Sequence, residues 1–133
     1  MEIWSFLGLQ CNKDTRRSVN ESFKNMISTF APEMVAAHTS AVIEYRIKKC
    51  GDWHVVIANK ACELRQGRAP KPDLRLTTDH KTWLAISKGL ETGEAMYMKR
   101  KLRAKGDQNL LMQLPQFFNV ETLKPDLSTY QLS

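Results

Sequence analysis

"PDLRLTTDHKTWLAISKG", residues 72 to 89, changes its period halfway along. Leu74 and Leu76 alternate with Arg75 and Thr77, which is the rhythm of a strand with one buried face. Trp83, Leu84, Ile86 and later Leu90 fall at helical spacing instead. The join is Thr78-Asp79. Asp79 can cap a helix from His80 to Lys88, and Gly89 is well placed just past its end. A strand therefore feeds a helix here. Their two apolar faces must enclose something, either dry core or a ligand cavity.

Upstream, Val19, Phe23, Met26, Ile27 and Phe30 recur on one face of a helix predicted from Thr15 to Phe30. Arg16, Arg17, Asn20, Glu21, Lys24 and Asn25 form its wet face. Ala31-Pro32 ends it, because a residue before proline is pushed out of the helical region. "AVIEYRIKK" then alternates Ile43, Tyr45 and Ile47 with Glu44, Arg46 and Lys48. "WHVVIA" returns after the Cys50-Gly51-Asp52 turn signal, and the pair reads as a β-hairpin. Asn59-Lys60 is a weaker turn before a third strand, "ACELR". "QGRAPKP" is a loop. Downstream of the opening stretch, Thr92 can cap a short helix, Gly93 to Met98. Asp107 can cap a helix carrying Leu110, Leu111 and Leu114, which Pro115 should kink or restart before Phe117 and Phe118.

The 133 residues suffice for one domain with one core. The division expected is a leader of uncertain structure over residues 1–14, a domain over 15–118 and a polar tail over 119–133. No apolar run approaches a membrane span, and no basic n-region precedes the apolar opening, so the expected location is cytoplasmic. The three cysteines, Cys11, Cys50 and Cys62, are odd in number and show no C-x-x-C. They are expected to be reduced thiols rather than a disulfide framework or zinc site.

A net charge of +6 permits an acidic partner without choosing one. Its densest run is "KRKLRAK", residues 99 to 105. Lys99, Lys101, Arg103 and Lys105 fall at period two against Leu102 and Ala104, which reads as a strand with a solvated outer face. Specific nucleic-acid binding is disfavoured, since no aromatic residues interleave with the charges. Transient attraction to an anionic membrane surface is the remaining use. His38, His54 and His80 are isolated, carboxylates are scattered, and no phosphate loop or nucleophile motif occurs. Nothing makes a positive case for an enzyme, a metal or a cofactor.

From Lys71 to Leu114, "KPDLRLTTDHKTWLAISKGLETGEAMYMKRKLRAKGDQNLLMQL" resembles the sterol carrier protein type 2 domain family. The corresponding pieces are Pro72-Asp73-Leu74, Trp83-Leu84, Ala95-Met96-Tyr97-Met98, Leu102 to Gly106, and Leu110-Leu111-Met112. The order and distances of these pieces carry the likeness, which extends over roughly Ser18 to Phe118. The resemblance implies an α+β fold: a five-stranded, mostly antiparallel sheet with helices packed on one face. It also implies an apolar cavity between sheet and helices, and non-catalytic binding or transfer of a fatty acid, acyl-CoA, sterol or other lipid. Some members are domains of larger enzymes, so an accessory or protein-interaction role with a collapsed cavity is the alternative. A homodimer is compatible with either. The terminal "YQLS" does not match a peroxisomal address of the S-K-L type.

The residues expected to line the cavity are Phe23, Ile27, Phe30, Trp83, Ile86, Met96, Met98, Leu110, Leu111, Leu114, Phe117 and Phe118. Arg75, Lys88, Lys99 and Lys105 are candidates, by charge alone, for a basic rim that would hold a carboxylate or phosphate head.

Overall fold

The computed structural model describes residues 11–118. The predicted tail and all but the end of the predicted leader lie outside the described residues. Helix α1 (Lys13–Ser28) leads to a 3-10 turn (Pro32–Met34) and then to strands β1 (Ser40–Lys48), β2 (Gly51–Ala58), β3 (Ala61–Gln66) and β4 (Leu74–Asp79). Helices α2 (His80–Ser87) and α3 (Gly93–Met98), strand β5 (Leu102–Gly106) and helix α4 (Gln108–Phe117) complete the chain. The strands form one sheet in the order β3-β2-β1-β4-β5. The β1–β4 pair is parallel and the other three pairs are antiparallel.

Local signals set these boundaries. Asn12 caps α1 by accepting a hydrogen bond from the Thr15 amide at 2.8 Å, so the helix begins two residues before the predicted start. Asp79, Thr92 and Asp107 cap α2, α3 and α4 in the same way, as their side-chain chemistry predicts. The turn between β2 and β3 puts both Asn59 and Lys60 at positive φ, a hairpin geometry whose twist matches that of the strands. Gly106 has a strict role. Its φ is +123°, and a Cβ there would run into the Asp73 carbonyl. Only glycine lets the end of β5 lie against the start of β4.

Alternation then decides what faces inward. Ile43, Tyr45 and Ile47 of β1 align with Trp53, Val55 and Leu74, Leu76 on one face, and all are buried. The helices cover this face. Phe23 of α1, fully buried, stacks on Trp53 at 5.0 Å and on Trp83 of α2 at 4.6 Å between ring centroids, with the Tyr45 ring edge-on at 5.2 Å. Both indole N–H groups donate to α1: Trp53 to Asn20 Oδ1 at 3.0 Å and Trp83 to Ser22 Oγ at 2.7 Å. One helical turn thus packs the aromatic rings and satisfies their polar atoms.

Three expectations are corrected. Cys11 and Cys50 form a disulfide, with Cα atoms 5.0 Å apart, and only Cys62 is free among the described residues. The reason is tertiary. Cys11 immediately precedes the α1 cap, Cys50 sits in the β1–β2 turn, and Arg16 Nε donates to the Cys50 carbonyl at 2.9 Å, holding the helix start against that turn. The expectation of reduced thiols is thereby overturned for Cys11 and Cys50. Second, of the kink or restart expected at Pro115 the restart does not occur, and α4 runs on through Pro115 to Phe117. Proline removes one hydrogen bond, and the helix end is held elsewhere: the Ala31 amide donates to the Phe117 carbonyl at 2.8 Å, and Phe30 bridges Phe118. Third, β5 begins at Leu102, so Lys99, Arg100 and Lys101 belong to a turn rather than to the strand.

Two outcomes follow from this packing. Phe23→Ala should cost about 3 to 5 kcal/mol in urea unfolding, since it empties the centre of the aromatic stack. Reduction with dithiothreitol, or Cys50→Ser, should cost about 2 to 4 kcal/mol, because the bridge closes a loop of 39 residues in the unfolded chain. The reductant should leave the Cys50→Ser variant unchanged.

Candidate functional site

The expected lining residues divide into two sets. Phe23, Trp83, Met96, Leu110, Phe117 and Phe118 are buried in the single apolar cluster. Ile27, Phe30, Ile86, Leu111 and Leu114 are half-buried and pack against that cluster. They come from α1, its exit, α2 and α4. Leu110, Leu114 and Phe117 lie on one stripe of α4, with Leu111 and Phe118 beside it. The Phe30 and Phe118 rings meet at 5.7 Å, where the end of α4 joins the exit of α1. These two sets put α4 and its neighbours over the β4–β5 side of the sheet, where the inner face offers the small Ala104 and Gly106 beside Leu74 and Leu76.

Met98 stands apart at 75% exposure. It lies two residues beyond the buried Met96, about 200° round the helix, so the two point opposite ways.

The four rim candidates do not converge. Arg75 and Lys105 are cross-strand partners, on the face of the sheet away from the helices, because their neighbours Leu74, Leu76 and Ala104 point inward. Lys88 and Lys99 are the C-terminal caps of α2 and α3, both exposed.

The outer face contains what the alternating pattern conceals. Glu44 alternates with the inward-facing Ile43 and Tyr45, yet it too is fully buried. The loop after β3 folds across it. One carboxylate oxygen accepts from the Ala69 amide at 2.9 Å. The other accepts from Arg75 Nε at 3.0 Å, with Arg68 Nε at 3.7 Å. His54 Nδ1 donates to the Gly67 carbonyl at 2.9 Å and pins the same loop. Arg75 is therefore committed to Glu44. The only signal in the sequence is the small and rigid composition of the loop, which says nothing of where it lies. Farther along this face, Arg46, Ile47, Lys48, Lys49, Gly51, Asp52 and Thr77 line a cavity of about 360 Å³. Its lining is mixed polar and apolar, and it lies among side chains on the side of the sheet away from the apolar cluster.

Two inner-face groups are perturbed. Burial pushes the Tyr45 hydroxyl far above its usual range, and the neighbouring Cys62 adds to this. Burial also raises the Cys62 thiol. Neither is a poised acid or base at neutral pH. Among the described residues no group of three or more His, Cys, Asp or Glu side chains could hold a metal ion. No helix among them is long and apolar enough to cross a membrane.

An α+β domain with a helix-covered apolar face and a polar outer face is the class defined by this arrangement. The SCP-2 sterol transfer family matches residues 20–119, and the chain belongs to that family. The fold is similar to the crystal structure of sterol carrier protein 2 like 2 from Aedes aegypti, with a TM-score of 0.60, 23% identity, and coverage of 76% of this chain and 96% of that one. A second similar structure is sterol carrier protein 2 from Aedes aegypti in complex with palmitate, with a TM-score of 0.58, 19% identity, and coverage of 75% and 93%. A third is the stereoselective inverting sec-alkylsulfatase Pisa1 from Pseudomonas sp., with a TM-score of 0.60, 14% identity and coverage of 70% of this chain. The chain spans only 15% of that enzyme's length, so there the fold is one part of a larger protein. No curated protein matches the sequence.

The raised Tyr45 and Cys62 groups predict an alkaline limit to stability. Both hold their protons more tightly in the folded chain than in the unfolded one. Their contribution is complete below the unfolded values and is lost as pH rises through the folded ones. The thermal midpoint should therefore hold through neutral pH and fall once pH passes the ordinary thiol value of 9.0. Cys62→Ser should remove the first part of that fall in a pH series of melts.

Proposed function

We propose that this domain binds a hydrophobic ligand with a long hydrocarbon portion, a fatty acid, acyl-CoA or sterol, and carries it without catalysing a reaction. The half-buried rim of Ile27, Phe30, Ile86, Leu111 and Leu114 carries this reading. It puts apolar surface from three helices at the edge of a core whose other half is closed by the aromatic stack. Family membership supports it, as does the palmitate complex of a protein with a similar fold. The driving force needs no special chemistry. Each buried methylene is worth about 0.8 kcal/mol, so ten of them offer about 8 kcal/mol before binding entropy is charged against them. A head group would be met by exposed cations such as Lys88 and Lys99, since Arg75 is held by Glu44.

One observation favours a second reading, the same fold used as an interaction or accessory domain. The described cavity is on the outer face, while Phe23, Trp53 and Trp83 fill the centre of the inner one.

Displacement of a fluorescent fatty acid, with native mass spectrometry of the purified chain, separates the two. Ligand carriage predicts displacement by palmitate. It also predicts at least about ten-fold weaker binding in Leu114→Arg, a charge placed at an apolar contact, with retained far-UV circular dichroism. A chain that neither retains lipid nor binds the probe would leave the interaction reading standing.

A further inference from the structure

Strand β3 ends the sheet, with β2 on one side and no strand on the other among the described residues. Which of its backbone groups face that open edge is fixed by register. The two-residue turn pairs Ala58 with Ala61, and at the far end of the strand the Gly67 amide donates to the Asp52 carbonyl at 2.7 Å. Bonded pairs in an antiparallel ladder recur at every second residue. Ala61, Glu63, Arg65 and Gly67 therefore bond to β2, and Cys62, Leu64 and Gln66 turn their amides and carbonyls outward. No backbone hydrogen bond from the rest of the described chain reaches these groups.

The side chains alternate as well. Cys62 and Leu64 are on the inner face, half-buried against the apolar cluster. Glu63 and Arg65 are exposed on the outer face, 3.0 Å from each other. Charges on an edge strand ordinarily deter pairing. Here their signs alternate, which makes the strand complementary to itself. Antiparallel pairing about a twofold axis at Leu64 sets Glu63 of each copy opposite Arg65 of the other, and opposite charges directly across a ladder stabilise it. An axis at Glu63 or at Arg65 would oppose like charges. An axis between residues would set inner side chains against outer ones. The other edge of the sheet, β5, has Arg103 and Lys105 on its outer face, so two copies of it would meet cation against cation.

We propose that β3 pairs with β3 of a second copy of this chain about a twofold axis at Leu64, joining two five-stranded sheets into one. Cys62, Leu64 and Gln66 of the two copies supply about six backbone hydrogen bonds. The Leu64 side chains meet on the inner face, and two Glu63–Arg65 pairs close the outer one. One strand from each copy buries little area, so the dimer is reversible and weaker than a standard interface. It stops at two, because the contact uses the same patch on both copies. The proposal does not rest on the ligand reading above, since all its contacts are on the edge of β3.

Sedimentation equilibrium of the full chain tests it. The mass should rise with concentration from 15.3 kDa towards twice that value and no further. Arg65→Glu should weaken the dimer by about ten-fold or more, and Glu63→Arg likewise, since each turns two attractive pairs into repulsive ones. Glu63→Arg combined with Arg65→Glu should restore the wild-type affinity to within about two-fold, because the swap keeps every pair opposite in sign. That rescue separates pairing from a folding defect. In amide hydrogen exchange, Cys62, Leu64 and Gln66 should slow as concentration rises, while Glu63 and Arg65, already bonded to β2, should not change. A chain that stays monomeric at the concentrations used for NMR would overturn the proposal. So would open-ended growth, a dimer that either single reversal leaves intact, or a double swap that fails to restore it. Protection of Cys62, Leu64 and Gln66 at every concentration would also overturn it, since another segment of the same chain would then occupy this edge.

Discussion

The contact between Phe23 and the two indoles organises this domain. Phe23 comes from α1, Trp53 from β2 and Trp83 from α2, so three elements distant in sequence meet in one stack. The same turn of α1 supplies the acceptors for both indole N–H groups. Packing and polar satisfaction are thus met by one helix position, and α1 cannot rotate or slide without losing both. The register of the helix over the sheet follows from this. The Cys11–Cys50 bridge and the Arg16 bond to Cys50 fix its start. The Phe30–Phe118 contact fixes its exit.

A division of the inner face results. The β2–β1 side, under the aromatic stack, is solid. On the β4–β5 side the sheet presents smaller side chains, and the covering helix α4 leaves Leu111 and Leu114 half in contact with water. The aromatic stack and the half-buried apolar residues are therefore separate parts of the same face.

Much of the fold is legible in the sequence because it depends on local rules. Asp79, Thr92 and Asp107 announce helix starts through side chains that bond their own backbone. Ile43, Tyr45 and Ile47 announce an inner face through period two alone. What is not legible depends on elements remote in the chain. Glu44 has the same spacing as the exposed Lys48, and only the crossing loop, docked through Ala69 and Gly67, makes it the most buried acid described. Cysteine count could not reveal that Cys11 and Cys50 are adjacent, since their meeting follows from how α1 lies on the sheet. For the candidate site, the stripe on α4 was readable by spacing. The direction of Met98 was not, because α3 is too short for periodicity to register. The rim by charge failed for Arg75 and Lys105, since strand parity sends them to the opposite face.

The close approach at Gly106 bears on how the interior could be reached. The Asp73 carbonyl that excludes a side chain there also accepts the Asp107 amide at 2.9 Å, so α4 starts from a joint fixed to the mouth of β4. Its far end is tied through Phe117 to Ala31. A helix anchored at both ends is a beam rather than a door. Both ties would have to release before it could swing clear of the sheet. Pro115 marks where such a beam yields first. The missing amide hydrogen there leaves one carbonyl of the preceding turn without its helical partner, a single weak section between two supports.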